Sequence, residues 1–346
     1  MTGGPTDGTG PVRAVALGGG HGLHATLTAL RELTPDVTAV VTVADDGGSS
    51  GRLRRELGGL PPGDLRKAMI ALAGDNGPWP TVFAHRFGGD GALAGHAVGN
   101  LVLAALMELL GDPVAALDAA STLLGTRGRI LPMSNQPLDI EADVVGLDHD
   151  PRAVRRIRGQ VAVATTPGRV ERIRLHPAGQ PDEIPTACPD AVAAVLDADV
   201  VLLGPGSWFT SVLPHLLVPE LHEALVTTRA RKVVVLNLVP QPGETAGFST
   251  ERHLDVLCQH APRLRVDAVI ADVDSVPAPE KLYRSAGAVG AQVYLAKVAA
   301  HGAPERHDPV ALAGCLRTAV SVPVGQSAGT PTSTGNGEEI VGGHDR

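Results

Sequence analysis

Three glycine-rich loops, each placed directly after a short apolar run and before a helical pattern, constrain the fold of this chain more than any other feature. The loops lie at residues 18–22, 45–51 and 204–207, after the apolar runs 12–17, 37–44 and 200–203. Further apolar runs occur at 232–237, 267–271 and 292–295, with helical patterns between them. Short strands that alternate with helices are typical of crossover units on a parallel sheet.

This alternation predicts an α/β fold, a three-layer Rossmann-like sandwich with a mostly parallel sheet. Residues 126–185 interrupt the rhythm with alternating apolar and polar residues around a Thr-Pro-Gly turn, so we predict a small inserted β-ribbon subdomain there. A single domain is expected over residues 11–325. The ends, 1–10 and 326–346, are rich in Gly, Ser, Thr and Pro and are expected to be disordered tails.

Composition and charge exclude several classes of protein. The formal net charge is −8 and no run of Lys and Arg exceeds three residues, which argues against a nucleic-acid partner. Three widely spaced cysteines form neither a disulfide framework nor a zinc motif. No signal peptide and no apolar stretch long enough to span a bilayer is visible, so a cytoplasmic location without a transmembrane segment is expected.

The first glycine loop is a candidate phosphate-binding loop. Glycines let the backbone turn tightly and present N–H groups at the positive end of the following helix. The loop is not a Walker A motif, and it matches the dinucleotide fingerprint only loosely, when the count starts at Gly20 and ends at Ala25. A tight strand–helix turn without a ligand is the alternative explanation.

The second loop combines two carboxylates with glycines and hydroxyls. Asp45 follows the second strand, where a Rossmann protein contacts a ribose hydroxyl. Asp45 and Asp46 are also candidate ligands of Mg²⁺, which favours one or two carboxylates completed by water. The alternative is that one aspartate caps the next helix.

The third loop repeats the same arrangement, and Ser207 in it suits either an anion site or a helix N-cap. Because the carboxyl ends of parallel strands share one edge of the sheet, the three loops are expected to converge on one crevice. Asn237 follows another strand and is placed to hydrogen-bond a sugar or a base. The chain has only eight aromatic residues. Trp208 and Phe209 adjoin the third loop and Phe248 adjoins the segment PGET at 242–245, which makes them candidates for stacking on a base.

Seven sequence blocks carry a resemblance to a known family, and they read ALGGGHGL, VTVADDGGSSGRLR, PPGDLRKAMIAL, AGHAVGNLVL, RGRILPMS, LGPGSWFTSVLPHLLVPE and QPGETAGFSTERHL. Together they closely resemble the family of putative gluconeogenesis factors over about residues 12–320. That family is similar to the 2-phospho-L-lactate transferases that assemble coenzyme F420. The resemblance implies a nucleotide-sugar-binding domain that takes UDP-sugars, notably UDP-N-acetylglucosamine. It also implies a role in cell shape and in growth on gluconeogenic carbon sources.

The resemblance also carries over site residues. It implies that residues 18–22 and the Asp45–Asp46 pair lie at the nucleotide diphosphate, and that Tyr283 and Arg306 contact the UDP-sugar. His21 stands where members of the family often have Thr, and Trp208-Phe209 replaces the usual Leu-Tyr. Combining the loops with the resemblance, the candidate ligand-binding residues are Gly18, Gly19, Gly20, His21, Gly22, Asp45, Asp46, Gly47, Ser49, Gly204, Gly206, Ser207, Asn237, Tyr283 and Arg306.

Three functions are compatible with these residues. The first is a UDP-sugar-responsive regulatory protein without catalytic residues, acting as a homo-oligomer or through protein partners. The second is a Mg²⁺-dependent phospho-lactyl-type transferase, in which Asp45 or Asp46 would hold the metal and Arg66 would stabilise phosphate charge. The third is an NAD-dependent dehydrogenase, which rests only on the loose fingerprint ending at Ala25.

Overall fold

The computed structural model describes residues 11–74, 77–241 and 243–321. The predicted tails, 1–10 and 326–346, lie outside the described residues. The helices are α1 (Gly20–Arg31), α2 (Gly48–Leu57), α3 (Pro62–Ala73), α4 (Trp79–Ala84), α5 (Val98–Leu110), α6 (Pro113–Leu124), α7 (Gln160–Ala164), α8 (Pro189–Asp197), α9 (Pro219–Thr227), α10 (Arg252–His260), α11 (Pro279–Val289) and α12 (Pro309–Ser321). The strands are β1 (Ala14–Gly18), β2 (Val37–Val41), β3 (Arg129–Pro132), β4 (Leu138–Val145), β5 (Val154–Arg158), β6 (Arg169–Pro177), β7 (Val200–Leu203), β8 (Arg231–Val235), β9 (Ala268–Asp272), β10 (Gln292–Ala296), β11 (Ala299–Ala300) and β12 (Ala303–His307).

A seven-stranded sheet in the order β10-β9-β8-β7-β1-β2-β3 forms the centre of the molecule, and every neighbouring pair in it is parallel. All residues of β1, β7, β8 and β9 are buried, which explains their aliphatic runs. The strand order runs outward from β1 in both directions. Right-handed crossovers then place helices on both faces of the sheet. The predicted three-layer α/β sandwich is confirmed.

The strand order reverses between β1 and β7, which are direct neighbours. At such a switch point the loops that follow the two central strands diverge to opposite faces and leave a crevice between them. The loops 18–22 and 204–207 are the loops that follow β1 and β7. The fold therefore places two of the three predicted glycine loops on either side of this crevice.

The inserted subdomain is a three-stranded antiparallel sheet in the order β5-β4-β6, with α7 between β5 and β6. Two features differ from the sequence prediction. Residues 129–132 pair with β2 as the edge strand of the main sheet, so the insertion begins after them. Residues 161–164, predicted to belong to the ribbon, are helical, because a short apolar run has no period that separates a strand from a buried helix.

The helical pattern that follows the third glycine loop, over residues 208–226, forms three separate segments. A π-helical turn at Trp208–Val212 is followed by a 3₁₀ segment at Leu213–Leu217 and then by α9. Pro214 and Pro219 each lie at the start of a new segment, because proline has no N–H to continue the preceding one. Among the described residues, no helix has both the length and the apolar composition needed to cross a bilayer.

Candidate functional site

The two glycine loops at the switch point touch each other through their backbones. A Cβ atom at Gly22 would stand 2.1 Å from the carbonyl oxygen of Pro205, and one at Gly206 would stand 3.6 Å from the carbonyl oxygen of Gly19. The hydroxyl of Thr26 donates a hydrogen bond of 3.0 Å to the carbonyl of Gly204. Glycine is required at position 22 because only a residue without a side chain allows this approach.

The start of α1 opens into free space. Gly20 has a φ of +61°, and no atom lies within 4 Å of where its Cβ would be. Gly19, the N-cap of α1, offers no side chain to the first-turn amides. These amides have no acceptor within the helix, so they are available to an anion.

A cavity of about 530 Å³ lies beside this helix start, and we call it the switch-point cavity. Its volume is in the range of small-molecule sites. Its lining residues are His21, Gly22, His24, Ala25, Thr28, Pro205, Gly206, Asn237, Leu238, Val239, Pro240, Gln241, Ala300, Ala303, Glu305, Arg306, His307 and Pro309. The cavity therefore brings together five predicted site residues: His21, Gly22, Gly206, Asn237 and Arg306.

Asn237 holds the loop after β7 in place. Its Oδ1 accepts a hydrogen bond of 2.9 Å from the amide of Gly206, and its Nδ2 donates one of 2.9 Å to the carbonyl of the same residue. The Oγ of Ser207 lies 3.5 Å from Gln241 Nε2, which donates to it. Deeper in the loop, the carboxylate of buried Glu244 accepts from the amide of Phe209 at 2.9 Å and from the hydroxyl of Thr210. The side chain of Asn237 thus orders the loop, and its contact with a ligand stays a prediction.

The two predicted metal-ligating aspartates have different partners. Asp45 accepts from the amide of Gly47 at 2.9 Å, whereas Asp46 accepts from the amide of Val161, at the start of α7, at 2.9 Å. A Cβ at Gly159 would stand 2.5 Å from Asp46 Oδ2, so this carboxylate faces the inserted subdomain. Within residues 11–74, 77–241 and 243–321, no three His, Cys, Asp or Glu side chains form a group that could hold a metal. The described donors therefore fit Mg²⁺ at Asp45 better than at Asp46.

Asp64, which is not among the predicted site residues, lies close to Asp45. Burial and then the charge of Asp64 raise the pKa of Asp45 above its ordinary value. Asp64 also lies beneath the first glycine loop, because a Cβ at Gly19 would stand 2.6 Å from its Oδ2. Lys67 donates to Asp64 Oδ1 at 3.0 Å and offsets part of this negative charge.

A second cavity, of about 420 Å³, lies at the start of α2, and we call it the arginine cavity. Its lining residues are Asp45, Gly47, Gly48, Ser49, Ser50, Arg52, Gly63, Arg66, Lys67, Arg86 and Gly95. It shares no described lining residue with the switch-point cavity. The predicted site is therefore divided into two compartments, with Asp45, Gly47 and Ser49 in the second.

A chain of buried polar groups forms one wall of the arginine cavity. Arg66 Nε donates to Asn100 Oδ1 at 2.9 Å, Asn100 Nδ2 donates to Ser49 Oγ at 2.9 Å, and Ser49 Oγ lies 3.0 Å from His96 Nδ1. Ser49 thus accepts from Asn100 and shares a further hydrogen bond with the ring of His96, whose tautomer sets the direction of that bond. Burial and then the charge of Arg52 lower the pKa of His96, which favours the neutral ring. The four-residue spacing of His96 and Asn100 was the only sequence signal for this network.

Several predicted residues lie away from both cavities. Gly18 is the buried last residue of β1, and Tyr283 lies on α11 with 51% of its surface exposed, outside either lining. Trp208 and Phe209 are 0% exposed and belong to the core, so the expectation that they stack on a base is wrong. Trp208 instead packs edge-on against His253, with 5.1 Å between ring centroids. A loop-adjacent position in the sequence does not separate a ring that faces the crevice from one that faces inward.

Comparison with known proteins gives consistent matches. The family model described as 2-phospho-L-lactate transferase CofD matches residues 14–308. A protein named "Putative gluconeogenesis factor" from Mycobacterium tuberculosis strain H37Rv is 59% identical over 90% of this chain and 92% of its own. A protein of the same name from Streptococcus pyogenes serotype M1 is 40% identical over 77% of this chain and 79% of its own.

The fold also matches a solved structure. A crystal structure of a member of the UPF0052 family from Bacillus halodurans superposes with a TM-score of 0.79 and 31% sequence identity. The match covers 89% of this chain and 100% of that protein.

Proposed function

The chain belongs to the putative gluconeogenesis factors and to the CofD family that contains them, and from this premise we propose that it is a cytoplasmic regulatory protein that binds UDP-N-acetylglucosamine in the switch-point cavity. The proposal extends to a role in cell shape and in growth under gluconeogenic conditions, exerted through protein partners. UDP-N-acetylglucosamine suits such a role because it links carbon metabolism to the cell envelope.

The observation that carries the proposal is the contact between the two glycine loops. It leaves the start of α1 without a capping side chain, with open space beside Gly20 and with His21 and Gly22 lining the cavity. A diphosphate bound there would accept hydrogen bonds from these amides and benefit from the helix dipole. Arg306, on β12 across the same cavity, adds a positive charge for the phosphates.

The linings of the two cavities favour a binding function over a transferase that must hold a deazaflavin, a flat aromatic acceptor. Neither cavity has a Phe, Tyr or Trp among its described lining residues, so neither offers a broad aromatic platform for a flat acceptor. A sugar nucleotide needs hydrogen bonds and charge rather than a large apolar plane. Residues 237–241 line the switch-point cavity and would supply backbone groups for such contacts.

Isothermal titration calorimetry with UDP-N-acetylglucosamine tests the proposal directly. Gly20→Arg is the informative variant, because its side chain would project from the start of α1 where the phosphates are proposed to lie. Gly20→Asn is the matched control, since asparagine tolerates the positive φ of +61° with a shorter side chain. We expect binding by the wild type, strong loss in Gly20→Arg and retention in Gly20→Asn. An absence of heat from wild-type protein at millimolar ligand would refute the proposal.

The second candidate is a phospho-lactyl-type transferase, favoured by the description of the matching family model and by buried Arg66 beside Asp45. Mg²⁺ would neutralise phosphate charge in such a reaction, with Asp45 as the carboxylate positioned to hold it. Arg66 would bind the phosphate through its guanidinium. Product formation from a guanylated or phosphoenolpyruvate-derived donor, dependent on Mg²⁺ and lost in Arg66→Met, would support this candidate over the first.

A further inference from the structure

The three arginines that line the arginine cavity donate hydrogen bonds to neutral acceptors. Arg52 donates to the carbonyl oxygens of Ala94 at 2.8 Å and Ala92 at 2.6 Å. Arg86 donates to the carbonyl of Gly95 at 2.6 Å, on the same loop. In the described part of the chain, neither arginine forms an ion pair with a carboxylate.

For Arg66 the lack of a charged hydrogen-bond acceptor is more costly, because the residue is only 5% exposed. Its Nε donates to Asn100 and its Nη1 donates to the carbonyl of Phe83 at 3.3 Å, and both acceptors are neutral. Its Nη2 makes no hydrogen bond within residues 11–74, 77–241 and 243–321, although the residue lines the cavity. A buried guanidinium whose hydrogen-bond acceptors are all neutral is unfavourable, so an anion in the cavity would relieve the cost.

The start of α2 faces the same space. This ten-residue helix has Gly47 as its N-cap, with no capping side chain. Gly48 has a φ of +46°, and nothing lies within 4 Å of where its Cβ would be. The amides of the first turn therefore meet the three guanidinium groups across one cavity.

We propose that the arginine cavity is a second ligand site, which binds the phosphate group of a small phosphomonoester. The site is separate from the proposed UDP-sugar site, and its ligand is a second molecule. Arg52, Arg66 and Arg86 line the cavity with guanidinium groups, which bind phosphate oxygens through charge-assisted hydrogen bonds, and the α2 amides supply further donors. Four cationic side chains and one carboxylate, that of Asp45, line the cavity, which gives it a net positive charge.

The two sites are close enough to influence each other. Lys67 lines the arginine cavity, and burial and then the charge of Lys67 lower the pKa of His21, which lines the switch-point cavity. Lys67 also pairs with Asp64 beneath Gly19. A phosphomonoester beside Lys67 would therefore change the electrostatic field at the loop where the UDP-sugar is proposed to bind. A regulatory protein with these two sites would respond to a sugar nucleotide and to a phosphorylated metabolite together.

Calorimetric titrations with inorganic phosphate and with glycerol 3-phosphate, at constant ionic strength, test the site. Glycerol serves as the uncharged control ligand. Arg86→Gln removes an exposed arginine whose recorded hydrogen bond is to a single carbonyl, so the fold should persist. Arg317→Gln, on the exposed face of α12, is the control with the same change of charge.

We expect one equivalent of phosphate or phosphomonoester to bind the wild type and Arg317→Gln, and Arg86→Gln to bind it about tenfold more weakly. Tighter binding of glycerol 3-phosphate than of inorganic phosphate is expected, because the proposed ligand is a phosphomonoester. UDP-N-acetylglucosamine affinity should change less than about twofold in Arg86→Gln, because the two cavities share no lining residue.

The variant Gly20→Arg separates this proposal from the proposed function. It should lose UDP-sugar binding and keep phosphomonoester binding. If the wild type binds the phosphomonoester but no UDP-sugar, the proposed function fails and this inference stands. Equal phosphate affinity in wild type and Arg86→Gln, or competitive displacement of phosphate by UDP-N-acetylglucosamine, would overturn the inference.

Discussion

The switch-point cavity and the arginine cavity are neighbours, but they are built from different materials. The first is shaped by backbone: two glycine loops in contact, ordered by the amide of Asn237. The second is shaped by side chains: three arginines on separate elements, held by carbonyls and by a buried polar network. Where the two glycine loops touch, a single added Cβ at Gly22 would force them apart. In the arginine cavity, each arginine removed should instead lower the affinity for an anion by a separate step.

Gly22→Ala is expected to have the largest effect, because it tests the backbone-built cavity at its tightest point. The new Cβ would stand 2.1 Å from the carbonyl oxygen of Pro205, so the two loops must separate. We expect a loss of about 3 kcal/mol in the free energy of unfolding in urea, together with loss of UDP-sugar binding. Gly314→Ala, with nothing within 4 Å of its Cβ on α12, should instead be neutral or slightly stabilising. A wild-type urea midpoint for Gly22→Ala would mean that the contact is not rigid.

Acidification should lower the free energy of unfolding through His215, which lies in the 3₁₀ segment Leu213–Leu217 after the third glycine loop. This fully buried ring lies 3.1 Å from the carbonyl of Val40 and 3.3 Å from that of Val212, and burial lowers its pKa to about 4. Because the unfolded state takes up a proton near pH 6.5 and the folded state only near pH 4, stability is full above pH 6.5 and falls between these values. The wild type should lose about 3 kcal/mol more than His215→Gln across this window, measured by urea unfolding.

The exposed His301→Gln is the control for this pH series and should follow the wild-type curve. Parallel pH curves for the wild type and His215→Gln would show that His215 does not titrate as proposed.

Asn100→Ala tests the side-chain-built cavity. It leaves Arg66 Nε and Ser49 Oγ without their buried partner. We expect a loss of about 2 kcal/mol in the free energy of unfolding and weaker phosphomonoester binding, with UDP-sugar affinity retained. Asn135→Ala, at an exposed position, should change neither quantity. If Asn100→Ala also loses UDP-sugar binding, the two cavities act as one site.

Asp46 gives the smallest expected effect and separates a structural from a metal-ligating role. Asp46→Ala should cost about 1 kcal/mol, because the amide of Val161 in the first turn of α7 loses its acceptor. Asp46→Asn keeps an acceptor oxygen and should stay within about 0.5 kcal/mol of wild type in urea unfolding. Retained Mg²⁺ binding in Asp46→Asn, compared with loss in Asp45→Asn, would match the observed geometry. The reverse pattern would restore Asp46 as a metal ligand.

The contrast between a backbone-built and a side-chain-built cavity also explains which parts of the structure the sequence predicts well. The strands and glycine loops of the parallel sheet are visible because burial on both faces demands aliphatic runs and tight turns demand glycine. β3 was assigned to the insertion because its four residues carry no period of their own, and only pairing with β2 shows its place. The strand order, and hence which loops meet at the switch point, depends on long-range contacts that no local pattern encodes.

The arginine cavity is the part of the site that sequence reasoning resolved least. Arg52 lies on α2, Arg66 on α3 and Arg86 in the segment after α4, with no fixed spacing that signals a common function. The hydrogen bond between Asp46 and Val161 has no signal in the sequence either, since the two residues are 115 positions apart. A motif identifies residues that act through their local backbone, and it does not reveal which distant groups a side chain meets.

The short helix α7 has a consequence for engineering this protein. The amide of Val161 in its first turn donates to Asp46, and a Cβ at Gly243 would stand 2.0 Å from the carbonyl oxygen of Ala164 at its other end. Deletion of the inserted sheet together with α7 would therefore remove packing from the loop that contains Asp46 and from the loop that contains Gly243. The subdomain is thus needed for the structure of both loops. The exposed turn at 149–152, at the opposite tip of that sheet, is instead the place to attach a dye or a tag.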